Sequence, residues 1–178
     1  MGNHREWKFV RSNTQHDGKN RIMKTREDYD RFLAEVRKTT GIEALTPEES
    51  GLVSVRVQDE FNMNLQFIEA TGKILCFIEV AELPKDAGRE VYRELLAAGL
   101  FGKETAGGYF ALEPDTEIVV YNYFFDLETV ELDVDDFVSS IEKILQLCEF
   151  WTGRLKELLV GIDDFGTISP DTHIRFRP

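Results

Sequence analysis

Three consecutive runs between residues 52 and 80 have the residue pattern of β-strands, and they constrain the fold more than any other part of the chain. In Leu52–Gln58 valines alternate with mostly polar residues, and Phe61–Phe67 alternates large apolar side chains with amides. An alternation with period two predicts a strand with one buried face. The third run, Ile74–Val80, is apolar at nearly every position, which predicts apolar partners on both of its faces.

A helical pattern lies on each side of these strands. Thr25 is followed three residues later by Asp28, which predicts a capping box, and apolar residues then recur at helical spacing up to Thr39–Gly41. After the third strand, Pro84 has the fixed φ that suits a first helical turn, so a second helix is predicted to begin there. Glycines that can adopt a left-handed cap end this helix around residues 99–102.

Two more strands and a long helix complete the predicted order. A hairpin is predicted for Tyr109–Leu112 and 117–126. A helix that covers the sheet is predicted to begin near Asp133, because an apolar stripe runs from Val134 to Leu159. The short alternation Ile174–Phe176 would add an edge strand. The predicted fold class is α+β, with an antiparallel twisted sheet of five or six strands in the order α-β-β-β-α-β-β-α.

Charge divides the chain into an N-terminal arm and an acidic body. Residues 1–24 contain six basic and two acidic residues, whereas residues 25–178 contain 15 basic and 31 acidic residues. We expect residues 1–24 to be a mobile basic arm, residues 25–160 to form one domain, and residues 161–178 to be a C-terminal tail. An acidic body repels phosphate backbones, which argues against nucleic acid as a partner.

Hydropathy predicts neither a membrane span nor a secretory signal, so we expect a cytoplasmic protein. Catalytic motifs are equally scarce, because the three histidines lie near the chain ends and no phosphate-binding loop or nucleophile elbow occurs. Cys76 and Cys148 lie in apolar periodic runs and are predicted to be buried free thiols. We therefore expect no catalytic residues, no metal and no cofactor.

An acidic cluster leaves one alternative open. Carboxylates at several nearby positions could bind a hard cation, although the spacing lacks the central glycine of a calcium loop. The favoured interpretation is a helix start whose acids complement the helix dipole. The cluster comprises Glu128, Glu131, Asp133, Asp135 and Asp136.

Surplus apolar surface is the most informative feature for function. The third strand presents Leu75 and Phe77 on one side, and the fifth strand presents Tyr121, Tyr123 and Phe125 on one side. Helices could bury both faces within one chain, but three helices are too few to cover two faces of five strands. The excess predicts an interface with another subunit or a partner.

The order of these motifs resembles one known family. An apolar strand at Ile74–Val80 runs into Leu83-Pro84, followed by the helix Tyr92–Phe101 and by Gly107–Pro114, and the last helix carries Phe150, Trp151 and Leu155. In the order of these motifs, residues 25–160 resemble the class I type III secretion chaperones, the Tir chaperone or CesT-like family.

The resemblance implies a homodimer without catalytic activity. Such a chaperone binds an extended, non-globular segment near the N-terminus of a secreted effector and keeps it export-competent. By the same resemblance, the first helix and first three strands would carry the client-binding residues Phe32, Val36, Phe61, Leu65, Leu75 and Phe77. The central helix and later strands would carry the dimer-interface residues Val91, Leu95, Ala98, Tyr121 and Tyr123.

Two other functions remain open from the sequence. Proteins of the YbjN family resemble the same fold and would imply a regulatory or binding protein outside secretion. A small metal-dependent enzyme that uses the acidic cluster would require converging carboxylates and a bound metal. The basic arm and the C-terminal tail are long enough to cover a client groove or an edge strand.

Overall fold

A computed structural model describes residues 25–126 and 133–163 of the chain, with side chains as far as Val160. Three helices, five strands and one 3₁₀ turn occur in these residues. In chain order they are α1 (Arg26–Thr40), β1 (Leu52–Val57), β2 (Phe61–Ile68), β3 (Lys73–Glu82), α2 (Arg89–Ala98), the 3₁₀ turn (Leu100–Gly102), β4 (Tyr109–Glu113), β5 (Ile118–Asp126) and α3 (Val134–Asp163).

The strands form one antiparallel sheet in the order β1-β2-β3-β5-β4. The predicted α+β class and the predicted order of elements are confirmed. Strands β1 and β4 are the edges of this sheet. The extra strand predicted at Ile174–Phe176 lies outside the described residues.

Helix α1 begins and ends where its sequence predicts. The Thr25 hydroxyl accepts a hydrogen bond from the backbone N–H of Asp28, and the Asp28 carboxylate accepts one from the N–H of Thr25, which completes the capping box. At the other end Gly41 adopts a left-handed conformation with φ 71°, and its N–H bonds to the carbonyl of Arg37.

Helices α1 and α3 cover one face of the sheet and meet each other there. The rings of Phe32 in α1 and Phe137 in α3 pack edge to face, with centroids 5.2 Å apart. Farther along α3, the Thr152 hydroxyl donates a 3.0 Å hydrogen bond to the carbonyl of Val80 in β3. The core therefore lies between these two helices and the alternating side chains of all five strands.

Helix α2 begins later than its sequence predicts. Pro84 is in a turn in which its carbonyl accepts from the N–H of Ala87, and the extended residue Gly88 precedes the first helical residue, Arg89. The prediction that Pro84 starts the helix was wrong because proline suits tight turns as well as first helical turns. The left-handed conformation after this helix falls on Phe101 and Gly102, whereas Gly99 is right-handed.

The other face of the sheet has no helix over it within the described part of the chain. Its side chains are half-buried or exposed, apart from Asn64, whereas those on the helix side are largely buried. An uncovered face is common for an antiparallel sheet, but such a face is usually polar. The chemistry of this face therefore decides what the protein can bind.

Candidate functional site

An apolar groove lies between α1, β1 and α3. Its cavity has a volume of about 40 Å³. The hydroxyl of Thr40, a polar residue of the lining, donates a 2.8 Å hydrogen bond to the carbonyl of Val36. The groove is therefore suited to an aliphatic side chain and offers no group for acid–base chemistry. Its lining consists of Val36, Thr40, Ile42, Leu45, Val55, Val57, Met63, Phe137, Val138 and Ile141.

Four of the predicted client-binding residues lie on the helix-covered side. Val36 lines the groove, and Phe32 packs beside it on α1 against Phe137. Phe61 and Leu65 are buried on β2 beneath the helices. All four therefore shape the floor or wall of this side of the domain, and their contact with a client stays a prediction.

The other two predicted client-binding residues, Leu75 and Phe77, lie on the uncovered face and are half-buried. The register of β3 with β5 places Phe124 opposite Leu75, and Tyr109 of β4 stacks on Phe124 with ring centroids 6.4 Å apart. Phe124 is 41% exposed. Asn122 lies among these residues, pairs with Phe77 and Tyr109, and donates its side-chain amide to the carbonyl of Val120. Together with Val120, the apolar residues form what we call the apolar half-face: Leu75, Phe77, Tyr109, Val120 and Phe124.

The β1 and β2 side of the same face is polar. Ser54 donates a 2.7 Å hydrogen bond to the amide oxygen of Asn64, and Arg56 donates one of the same length to Asn62. The Asn62 amide in turn donates to Glu79 on β3. These side chains form hydrogen bonds with one another across the strands. An apolar partner would therefore bind the part of the face formed by β3, β5 and β4.

The register corrects one interpretation from the sequence. Tyr121, Tyr123 and Phe125 were expected on the surplus face of β5, but Tyr121 pairs with Ile78 and Tyr123 with Cys76, on the helix-covered side. Sequence alternation shows which residues of a strand share a face but not which face the helices cover. The surplus residues of β5 are Val120 and Phe124, which sequence reasoning missed.

The residues predicted for a dimer interface hold α2 and the following loop in place. Val91 and Ala98 are buried on the inner side of α2, with Leu95 half-buried between them. Tyr121 is buried and donates a 2.6 Å hydrogen bond to the carbonyl of Thr105, and Tyr123 is half-buried. Their part in a dimer stays a prediction.

The outer side of α2 continues into an exposed apolar surface. Leu96, Leu100 and Phe101 are 79%, 63% and 93% exposed, and we call these three residues the α2 patch. Phe101 has φ 61°, an uncommon conformation for a residue with a side chain. Leu96 and Leu100 are four residues apart, so helical spacing could have identified them from the sequence as part of one surface. The exposure of Phe101 depends on the conformation of the loop.

Two hydrogen bonds, one of them buried, hold the loop that follows this patch. The Trp151 indole N–H donates to the carbonyl of Glu104 at 3.3 Å, and the Thr105 hydroxyl donates to the carbonyl of Gly108 at 2.7 Å. Gly108 is required there, because a Cβ atom would lie 2.3 Å from the Tyr121 hydroxyl oxygen. The patch is therefore presented by a constrained segment.

The two cysteines are free and buried. Burial raises the pKa of the Cys148 thiol to about 12 and raises that of Cys76 further, so both stay protonated at neutral pH. Thiols of this kind are poor nucleophiles. Their position agrees with the predicted role in the core.

The described part of the acidic cluster serves as a helix start. Asp133 accepts hydrogen bonds from the backbone N–H groups of Asp135 and Asp136 at the beginning of α3, whereas Glu128 and Glu131 lie outside the described residues. Within residues 25–126 and 133–163, no group of three His, Cys, Asp or Glu residues is placed to hold a metal ion. None of the helices in those ranges combines the length and apolar character that a membrane-spanning helix needs.

Comparison with known proteins gives one family match and several structural neighbours. Residues 31–152 match the Tir chaperone protein (CesT) family. A protein of Chlamydia pneumoniae is 26% identical over 107 residues, which are 60% of this chain and 72% of that protein.

Three solved structures share the fold. The ExsC–ExsE complex gives a TM-score of 0.65 at 20% identity, covering 75% of this chain and 97% of the matched one. The HopA1–SchA chaperone–effector complex gives 0.55 at 18% identity, with coverages of 72% and 93%. The Yersinia pestis type III secretion chaperone SycH, bound to a fragment of YscM2, gives 0.55 at 16% identity, with coverages of 68% and 98%.

Proposed function

The chain belongs to the Tir chaperone protein (CesT) family, and from that premise we propose that it is a non-catalytic, homodimeric chaperone for a secreted effector. It binds an extended N-terminal segment of the effector and keeps that segment export-competent. The observation that carries this proposal is the pair of apolar surfaces on opposite sides of one sheet. The HopA1–SchA complex, which shares the fold, is a chaperone bound to its effector.

The groove suits an extended client. It lies beside Val55 and Val57 of the edge strand β1, whose outer row of backbone groups has no strand partner among the described residues. A client segment added along β1 would satisfy those groups and place alternate side chains over the groove. Backbone pairing supplies affinity in this arrangement, and the apolar cavity selects the side chain.

The apolar half-face offers the client a second contact. Leu75, Phe77 and Phe124 form a continuous strip across β3 and β5, wide enough for the alternate side chains of one extended segment. A segment that crosses both surfaces must wrap around the domain, which requires that it be unfolded. This requirement explains why a chaperone of this shape would preserve a client in an unfolded state.

The α2 patch supports homodimer formation. Leu96, Leu100 and Phe101 expose a large apolar area to water. This exposure is unfavourable unless a second molecule covers the patch. In a symmetric dimer the α2 patch of one copy would pack against the α2 patch of the other, so both patches would be covered. Val91, Leu95 and Ala98 would contribute by holding α2 against the domain, and Tyr121 and Tyr123 by supporting the loop and strand beside it.

Native mass spectrometry tests the proposal. The chain is co-expressed with a candidate effector from the same cell, and the expected complex contains two copies of the chain and one partner. Deleting the partner's N-terminal segment should abolish the complex, whereas deleting its C-terminal domain should not. A complex that survives loss of the N-terminal segment would contradict the proposed mode of binding.

A further inference from the structure

Exposure of the apolar half-face to water is unfavourable in client-free protein. Leu75, Phe77 and Val120 are half-buried, while Phe124 and Tyr109 are 41% and 45% exposed. No described element covers them. An occupant from the same chain would be at high effective concentration and would need no partner.

The side chain of Arg26, the first residue of α1, reaches the loop at one edge of the sheet. Arg26 donates hydrogen bonds to the carbonyls of Glu48 and Glu49, just before β1. At the next turn, a Cβ atom built on Gly51 would lie 2.6 Å from the Arg26 guanidinium and 3.3 Å from the Gln66 amide. Gln66 belongs to the uncovered face, so the Arg26 guanidinium, which follows Thr25, lies near the edge of that face, while the apolar side of α1 packs on the covered face.

A direct path leads from this point to the apolar half-face. Gln66 pairs with Leu75, and Leu75 pairs with Phe124, so this row crosses two strand spacings, about 10 Å. Trp7 lies eighteen residues before Thr25. A chain of that length reaches at most roughly 60 Å when extended, which is far more than the path requires.

Residues 1–24 also have the complementary composition. They contain the apolar residues Trp7, Phe9 and Val10 together with six basic and two acidic residues. The rest of the chain contains 15 basic and 31 acidic residues. Opposite net charges attract the segment to the domain, and its aromatic residues match the aromatic surface.

We propose that residues 1–24 dock on the apolar half-face of their own protomer through Trp7 and Phe9 and leave it when a client binds. The segment then acts as an internal competitor that raises the selectivity of the chaperone, because a client must bind better than the segment it displaces. The competition rests on the proposed function. The docking itself is a property of client-free protein and is tested without a client.

Tryptophan fluorescence provides the test. The chain contains two tryptophans, and Trp151 is buried at 2% exposure, so the difference between the full chain and a Trp7→Phe variant isolates Trp7. In the full chain Trp7 should emit at short wavelength and resist quenching by acrylamide. Phe124→Ser should red-shift its emission and raise its quenching constant several-fold.

Val160→Ser is the control, because Val160 is an exposed apolar residue on α3, away from this face; Phe150 is unsuitable, because its ring packs against Trp151. Val160→Ser should leave Trp7 shielded. Circular dichroism checks that each variant is folded, and Val120→Thr replaces Phe124→Ser if the latter is not. A Trp7 that is already fully accessible in the full chain, or that Val160→Ser releases equally, would overturn the docking. Either result would concern only the docking of residues 1–24. The native mass measurement described above tests client binding separately.

Discussion

Phe124 lies directly opposite Leu75 on the uncovered face of the sheet, and its ring stacks on Tyr109 of the edge strand β4. The pair joins the centre of the sheet to its edge with one continuous apolar surface. Helices α1 and α3 protect the other face, so this surface is not part of the core of the protomer. A sheet whose uncovered face is apolar over β3, β5 and β4 is suited to binding an apolar partner there.

Phe101→Ser should convert the dimer into a monomer. The side chain is 93% exposed, so its removal should change the free energy of unfolding of the protomer by no more than about 0.5 kcal/mol. Light-scattering mass of the purified variant checks the oligomeric state. Phe150→Ser, at a second exposed phenylalanine, should leave the dimer intact, and a dimeric Phe101→Ser protein would exclude the α2 patch as the interface.

Ile42→Ser should weaken client binding at least about tenfold, since a polar group at the groove loses roughly 1.5 kcal/mol or more of apolar contact. Calorimetric titration with the client measures the loss. Leu158→Ser, at a half-buried aliphatic residue of α3 outside the groove lining, is the control and should bind normally. Equal affinities for the two variants would remove the groove from the client site.

Tyr29→Phe and Tyr121→Phe should have opposite effects on stability. The Tyr29 hydroxyl is buried and has no hydrogen-bond partner among the described residues, so its removal should raise the free energy of unfolding by up to about 1 kcal/mol. Tyr121 donates to the carbonyl of Thr105, and its removal should cost about 1–2 kcal/mol. Urea unfolding measures both, and a stabilised Tyr121→Phe would contradict the assigned hydrogen bond.

The cysteine thiols should resist a thiol reagent at pH 8 in the folded protein and react fully after denaturation. Burial raises the pKa of Cys148 from 9.0 to about 12 in the folded state. Above about pH 9 the unfolded chain therefore loses the proton first, and the stability contributed by the neutral thiol falls as pH rises. Unfolding followed from pH 8 to pH 11 should show this decline, and Cys148→Ala should reduce its slope.

The order of the elements could be predicted because each has a local signature. The capping box at Thr25 and the glycine at Gly41 fix α1, and the alternation from Val53 to Phe67 fixes two strands. Each pattern depends on nearby residues alone. Local chemistry and the final fold agree at these positions.

The surfaces were harder to predict because they depend on contacts between distant residues. Alternation places Tyr121 and Tyr123 on one side of β5, but the register with β3 decides that this side faces the helices. The same limit applies to the groove, where Ile42 comes from the loop after α1, Val57 from β1 and Val138 from α3. The exposure of Phe101 likewise depends on the hydrogen bonds that hold the following loop.

Calorimetric titration of the isolated N-terminal segment of the client tests the central claim most directly. The account predicts that this segment alone binds with nearly the affinity of the whole client, with a negative heat-capacity change from apolar burial. The remainder of the client, without that segment, should not bind measurably. Binding by the folded remainder and not by the isolated segment would contradict the claim that this protein recognises an extended chain.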